Sequence, residues 1–130
     1  MKTKFFLLIA VLLSSVVLFA QQAKPMNEAY DMKTYYLVFL KKGPNRTQDS
    51  VTTAKIQEQH LAHLTKMHED KKMCLAGPLM DNIDIRGICV YNTATQEEAK
   101  NLAESDPAVK SGRLVVEIHP WYSAKGSSLP

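Results

Sequence analysis

Three histidines within nine residues are the side chains of this sequence that are best suited to take part in a reaction. His60, His63 and His68 lie in a segment whose apolar residues recur every three or four positions, which is typical of an amphipathic helix. At about 100° per residue, His60 falls inside the apolar stripe that contains Leu64 and Met67. His60 is therefore expected to face the interior, as a hydrogen-bonded core residue or as a base, whereas the other two are expected to reach water.

Asp106 is the acidic residue that could work with His60. It follows a second predicted helix and precedes Pro107, a position typical of a capping or turn-forming aspartate. Two helices side by side on one face of a sheet would bring Asp106 and His60 to the same sheet edge. A carboxylate bonded to an imidazole holds the ring in one tautomer and stabilises its protonated form. Such a pair is a general base that can accept a substrate proton.

The spacing of the other candidate ligands does not predict a metal or redox centre. The three histidines are separated by three and five residues, and neither a clustered acid nor a CxxC pattern accompanies them. Cys74 and Cys89 flank a short predicted hairpin, so they would either form a disulfide in an oxidising compartment or remain two buried free thiols. We therefore expect neither a metal ion nor a bound cofactor.

Four short apolar runs and two helical segments must position these residues. The first helix is predicted over residues 53–70 with its N-cap at Ser50, Thr52 or Thr53, and the second begins at the capping box Thr95 to Glu98 and ends near residue 105. The last strand is expected to be closed by a His-Pro-Trp sequence. The strands are predicted over residues 35–40, 73–76, 88–91 and 114–118.

The order of these elements is β-α-β-β-α-β, which predicts an α+β fold of the ferredoxin-like kind. This arrangement has one antiparallel sheet with both helices on one face. All four strands are apolar on both alternating sets of positions, and the helices are sufficient to cover only one face. We therefore expect a homodimer in which two sheets meet and enclose a pocket.

The first 20 residues have the composition of an export signal. Lys2 and Lys4 precede an apolar run that is shorter than a membrane-spanning helix, and Ala20 offers a small residue for cleavage. The sequence thus predicts a signal peptide at 1–20, a flexible linker at 21–33, a domain at 34–124 and a tail at 125–130. The protein is expected to be periplasmic or secreted, with no stable membrane anchor after cleavage, and an uncleaved anchor is the alternative.

The charge of the remaining chain argues against a nucleic-acid partner. The signal contains two of the 16 basic residues and none of the 13 acidic ones, so the rest of the chain has a net charge of +1. Basic residues form no stripe with interleaved aromatic residues, which is the usual footprint of a nucleic-acid-binding surface. A small molecule and a second copy of the chain are the partners that the sequence favours.

Several short motifs resemble those of the YCII-related (YciI-like) family, in the same order and at similar spacing. The resemblance extends over about residues 34–122 and implies a ferredoxin-like fold that pairs into a dimeric α/β barrel. It also implies an active-site dyad of a histidine and an aspartate, which match His60 and Asp106 here. The motifs are QHLAHL at 59–64, LAGP at 75–78, EEA at 97–99, DPAV at 106–109, and Gly112.

The resemblance implies a small, cofactor-independent lyase or isomerase that works by proton abstraction, with dehydrohalogenation of a chlorinated hydroxyaromatic compound as one example in the family. One alternative is a non-catalytic module that binds a small molecule or a partner, in which His60 only satisfies a buried hydrogen bond. Another is an oxygenase, which would need a haem ligand or a reactive substrate. The sequence leaves the reaction and the substrate open.

A few other residues could shape a pocket without acting on a substrate. Gly77 and Pro78 are expected to form a turn rather than contact a ligand, and the same holds for Ser111 and Gly112. Tyr36 and Trp121 could form an aromatic wall for a planar ligand, although aromatic residues in short strands more often belong to the core or an interface.

Overall fold

The computed structural model describes residues 26–130 and divides the chain into two units after Asp31. The predicted signal peptide lies outside the described residues. The first unit contributes one short helix, α1 (Met26–Ala29), within the segment that the sequence predicts as a linker. The second unit begins at Met32, two residues before the predicted start of the domain.

The second unit contains seven elements of secondary structure. In chain order they are β1 (Met32–Lys42), α2 (Ser50–Glu69), β2 (Met73–Pro78), β3 (Ile85–Tyr91), α3 (Gln96–Glu104), α4 (Pro107–Lys110) and β4 (Leu114–Ala124). The four strands form one sheet in the order β2-β3-β1-β4, and every neighbouring pair is antiparallel. This is the α+β, ferredoxin-like topology that the order of predicted elements indicates. The four-residue helix α4 is an element that the sequence does not predict.

Strand β4 is more than twice as long as the sequence predicts. The expected end at residue 118 is wrong, because the strand continues through Pro120 and pairs with β1 as far as Ala124. Proline lacks the N–H that a central strand must donate, but β4 lies at the edge of the sheet, where one side of the strand makes no ladder hydrogen bonds. The edge position therefore tolerates Pro120, and the strand does not stop there.

Helix α2 begins earlier than predicted, and its N-cap is not one of the three expected hydroxyl residues. A carboxylate oxygen of Asp49 accepts a hydrogen bond from the backbone N–H of Thr52 at 2.7 Å. This bond satisfies one of the amides that the first turn leaves without a partner. The helix therefore starts at Ser50, and its 20 residues extend across one face of the sheet.

The capping box of helix α3 is confirmed with one variation. Oγ1 of Thr95 accepts from the N–H of Glu98 at 3.1 Å, and Oε2 of Glu98 accepts from the N–H of Ala94 at 3.2 Å, one residue before the expected donor. Two free amides at the start of the helix are thus bonded to side chains. This fixes the direction of α3 over the sheet.

The hydrophobic core lies between the helices and one face of the sheet. Met67 of α2 and Ala99 and Ala103 of α3 pack against strand residues such as Val38 and Leu40. Residues at the alternate positions of β1 and β4 lie on the opposite face, where Val115 and Trp121 are 40% and 42% exposed. One face of the sheet is therefore covered, and the other presents partly exposed apolar side chains.

Candidate active site

A cavity of about 420 Å³ lies between helix α2 and the sheet, and His60 is part of its wall. Its size is within the range that ligand pockets for small molecules occupy. The strands supply its floor, and the segments before α2 and β4 supply its rim. The residues that line it are Leu40, Arg46, Ile56, Gln57, His60, Leu61, Leu64, Ala76, Gly77, Pro78, Arg86, Gly87, Ile88, Cys89, Ala108, Arg113 and Leu114.

His60 is one of the two buried residues of helix α2, as its place in the apolar stripe predicts. Only 9% of the residue is exposed. Its Nδ1 lies 2.6 Å from Oδ2 of Asp106, a residue 46 positions further along the chain. The structure thus brings together the two residues that the sequence analysis selected.

Asp106 is the N-cap of the short helix α4 as well as the partner of His60. Its second oxygen, Oδ1, accepts a hydrogen bond from the N–H of Ala108 at 2.8 Å. The side chain is 2% exposed, so water does not replace either bond. Both oxygens of the carboxylate are therefore held, and the position of the group is fixed on two sides.

This arrangement determines which nitrogen of His60 is available for chemistry. A carboxylate accepts hydrogen bonds, so Nδ1 carries the proton that is shared with Asp106. Nε2 is then the unprotonated nitrogen of the neutral ring, and it is the one left for a molecule in the cavity. A proton taken up at Nε2 would create a charged ring whose charge Asp106 stabilises.

His63 is less accessible than the sequence predicts. It was expected to reach water from the flank of the apolar stripe, but its Nε2 is buried and has no hydrogen-bond partner within the described residues. Burial lowers the pKa of His63, while the negative charge of Asp106 acts in the opposite direction. His68 is exposed, as expected. His63 is therefore a second imidazole near the pair, with a pKa that burial shifts below its usual value.

Three arginines line the cavity, and the sequence analysis did not select them. Arg46 lies in the loop before α2, Arg86 in β3 and Arg113 directly before β4. Helical periodicity could not identify them because none lies on a helix. The signal available in the sequence was that Arg113 directly follows Gly112, which is predicted to lie in a turn.

Some of the residues that were expected only to shape a pocket line the cavity, and others lie elsewhere in the fold. Gly77 and Pro78 line the cavity, in the last two positions of β2. Gly112 has a positive φ of 75° in the turn before β4, which agrees with a turn-forming role. Trp121 lies on the sheet face away from the helices, so it does not form a wall of this cavity.

The two cysteines are free thiols, so the disulfide alternative is wrong. A register shift in β2 between Met73 and Leu75 leaves Cys74 unpaired and exposed, while Cys89 is buried opposite Ala76. Burial, with a smaller effect from the charge of Asp106, raises the pKa of the Cys89 thiol to about 12. Cys89 lines the cavity but is not a nucleophile at neutral pH.

Within residues 26–130, no group of three or more histidine, cysteine, aspartate or glutamate side chains is arranged to hold a metal ion. In the same range, no helix is both long and apolar enough to cross a membrane.

Comparison with known proteins gives a family match and a structural match. The model of the YCII-related domain family matches residues 34–122. No curated protein sequence gave a significant match. Among solved structures, the fold is similar to that of a 5-chloro-2-hydroxyhydroquinone dehydrochlorinase from Burkholderia phenoliruptrix AC1100 in complex with 2,5-dihydroxybenzoquinone. The TM-score is 0.51 at 20% sequence identity, and the match covers 67% of this chain and 92% of the other.

Proposed function

We propose, since this chain belongs to the YCII-related domain family, that it is a small lyase or isomerase that acts without a cofactor. In this proposal His60 removes a proton from the substrate, and Asp106 orients the imidazole and stabilises its charge. The observation that carries the proposal is the buried hydrogen bond of 2.6 Å between these residues at the wall of a cavity large enough for a small molecule.

The proposed reaction balances without an oxidant or reductant. Nε2 of His60 takes a proton from an acidic C–H or O–H group, and the electron pair that remains forms a new double bond. In an elimination a leaving group such as chloride departs with its own electron pair, so the net change is the loss of HCl. In an isomerisation the proton returns to a different carbon of the same molecule.

A chlorinated hydroxyaromatic compound is the substrate class that we propose first. The support is the similarity in fold to a dehydrochlorinase whose name specifies such a compound. At 20% identity this similarity carries the fold and not the substrate, so related enolisable compounds belong in the same test. The cavity volume of about 420 Å³ suits a molecule with a single aromatic ring.

The test is a panel of halogenated and enolisable hydroxyaromatic compounds, incubated with the protein and with His60→Ala. Chloride release and the absorbance of the products would be followed together. We expect turnover of at least one compound by the wild-type protein, and a loss of about 10²- to 10⁴-fold in the variant. Turnover that survives the substitution would remove His60 as the base.

A binding module without catalysis is the second candidate, and one observation favours it. Asp106 caps helix α4 through Ala108, so the pair with His60 also has a purely structural explanation. In this case ligands from the panel would bind to the protein without being converted. Binding measured by calorimetry together with unchanged ligand after long incubation would support this candidate over the enzyme.

We also propose that two copies of the chain pair through the exposed sheet face to form a dimeric α/β barrel. The support is the row of partly exposed apolar residues on that face, together with the family to which the chain belongs. An exposed apolar patch on one side of a small sheet is typical of an interface. Sedimentation equilibrium would distinguish a dimer from a monomer.

Export from the cytoplasm is a further proposal, supported by the sequence of residues 1–20. Mass spectrometry of the protein recovered from the periplasm or medium would test it. A chain that begins at or near Gln21 is the expected result. An intact N-terminus on protein that stays in the cytoplasm would contradict the proposal.

A further inference from the structure

We propose that the cavity takes a small aromatic anion, whose negative charge is held at Arg113 and Arg46 while its reactive proton lies at His60. This inference rests on the proposed function, because it names the class of substrate for that site. It adds two points to that function. A pair of arginines at the rim binds the charged group of the substrate, and their position sets the direction in which the substrate lies.

The first argument is the charge of the cavity wall. Three of the lining residues are arginines, and no aspartate or glutamate is among the described residues that line the cavity. Arginine is charged at any pH at which the protein is folded. A molecule with a carboxylate or another ionised oxygen would therefore find a wall of opposite charge, whereas a cation would be repelled.

The second argument is the hydrogen bonding of Arg113. Its Nη1 donates to Oε1 of Gln48 at 3.0 Å and lies 3.4 Å from Oγ1 of Thr53, and both of these acceptors are neutral. The bonds fix the side chain without neutralising it. A guanidinium group has five N–H donors, so donors remain for a bidentate contact with an anion.

The third argument is that the fold forces Arg46 against Arg113. Nη1 of Arg46 and the backbone N–H of Gly43 both donate to the carbonyl oxygen of Arg113, at 3.0 and 2.8 Å. A Cβ at Gly43 would lie 2.1 Å from the carbonyl oxygen of Gly112, so the close approach of the two segments requires glycine. The two arginines therefore line the same end of the cavity, where an anion would offset their positive charge.

Arg86 has a different role from these two. Its Nη1 donates to the backbone carbonyl of Asp81 at 3.2 Å, within the connection between β2 and β3. The contact holds the hairpin and directs part of the side chain toward it. We therefore assign recognition of the anion to Arg113 and Arg46.

The spacing of Thr53 and His60 along α2 indicates how the anion would lie. Thr53, which contacts Arg113, and His60 are seven residues apart on α2. Seven residues are about two turns, so both side chains are on the same side of the helix, about 10 Å apart along its axis. Because the side chains of Arg113 and His60 also occupy part of this span, one aromatic ring with a charged substituent fits between them.

The test compares two ligands of similar size and shape, the charged 2,5-dihydroxybenzoate and the neutral 2,5-dihydroxybenzamide, by titration calorimetry at pH 7.5. The carboxylate is ionised at this pH and the amide is neutral. We expect the carboxylate to bind at least about tenfold more tightly, with an affinity that falls as salt is added. Equal affinity of the two ligands for the wild-type protein would overturn the inference.

Variants then assign the effect to the arginine. Arg113→Gln is expected to weaken binding of the carboxylate about tenfold and to leave binding of the amide unchanged, while Arg113→Lys retains part of the affinity. Lys100→Gln, which removes an exposed charge on α3 that does not line the cavity, is the control. An Arg113→Gln protein that binds both ligands as the wild type does, or loses both equally, would contradict the assignment.

The test of anion binding can fail or succeed independently of the test of the proposed enzymatic function. His60→Gln should retain the preference for the carboxylate, because the arginines and not the imidazole provide it. A preference that persists when no compound is converted would support anion binding and count against the enzyme. Conversion that depends on His60 but shows no preference for anions would support the enzyme and reject this inference.

Discussion

His60 and Asp106 each make two kinds of contact, and their combination defines the site. His60 contacts a carboxylate through Nδ1 and lines the cavity, while Asp106 accepts one bond from the imidazole and one from the backbone of Ala108. Loss of either bond would free the carboxylate to rotate within its buried surroundings. The bond that caps α4 is therefore also the bond that keeps Asp106 aimed at His60.

The lowered pKa of His63 predicts how the free energy of unfolding depends on pH. Burial lowers the pKa of His63 in the folded protein below its usual 6.5, so the unfolded chain takes up this proton at a higher pH than the folded one. The contribution of His63 to the free energy of unfolding is therefore fully present above pH 6.5. It is lost as the pH falls from 6.5 toward the lower pKa that His63 has in the folded protein. We expect His63→Gln to flatten the decrease in unfolding free energy between pH 7.5 and 5.5, measured with urea.

The same substitution at His68 is the control for this prediction, because His68 lies on the same helix and is exposed. A partly buried imidazole with a lowered pKa should affect the slope more than an exposed one. If the two variants have the same pH dependence, burial of His63 is not the cause of the slope.

Single residues differ in how far the sequence could predict them. The inward direction of His60 follows from helical periodicity, which depends only on near neighbours. Its contact with Asp106 joins residues 46 positions apart, and periodicity has no information on such pairs. The proximity of Arg46 and Arg113 depends on how two loops meet at Gly43 and Gly112, which no local pattern describes.

At the scale of the elements, caps and close contacts decide where helices begin and where loops meet. Helix α2 begins at a carboxylate rather than at the hydroxyl residues that follow it. The sequence offered several candidate caps within five positions, and only the backbone conformation selects among them. The residue selected is Asp49, whose ψ of 171° is extended, as an N-cap requires.

This assignment predicts unequal effects for two neighbouring substitutions. Asp49→Ala should lower the free energy of unfolding by about 1 kcal/mol, because the N–H of Thr52 loses its acceptor. Ser50→Ala, at a position the sequence analysis considered as the cap, should have almost no effect. Urea denaturation of both variants would show the difference, and a larger loss for Ser50→Ala would mean that the cap is wrongly assigned.

A second pair of substitutions tests the contact between the loop before α2 and the turn before β4. Gly43→Ala places a methyl group against the carbonyl of Gly112, so we expect a loss of about 3 kcal/mol or failure to fold. Gly77→Ala is the matched control, since a Cβ there meets no atom within 4 Å. Thermal denaturation should show a large decrease for the first variant only, and equal melting temperatures would contradict the close approach.

At the scale of the whole molecule, most of the topology was predictable from the sequence. The order of strands and helices indicates a ferredoxin-like fold because short connections leave few ways to arrange four strands. The length of β4 was not predictable, because proline stops a central strand but not an edge strand, and the sequence does not state which strand is at the edge. The exposed sheet face followed from counting apolar strands against available helices.

If the chain pairs through the exposed face of the sheet, a charge placed on that face should weaken the dimer. Trp121→Glu places a charge on a side chain that is 42% exposed in the single chain, so it should weaken self-association by about tenfold or more. Met80→Glu is the control, because Met80 is 93% exposed in the connection between β2 and β3. Sedimentation equilibrium would measure both, and a wild-type protein that stays monomeric at high micromolar concentration would contradict the dimer.

The central claim is that Nε2 of His60 accepts the substrate proton. The most direct measurement is kcat/KM for a compound that the wild-type protein converts, determined for His60→Ala with and without added imidazole. We predict a loss of about 10²- to 10⁴-fold that imidazole partly restores, because the free base can enter the space that the side chain leaves. A His60→Ala protein that converts the compound at the wild-type rate would contradict the claim.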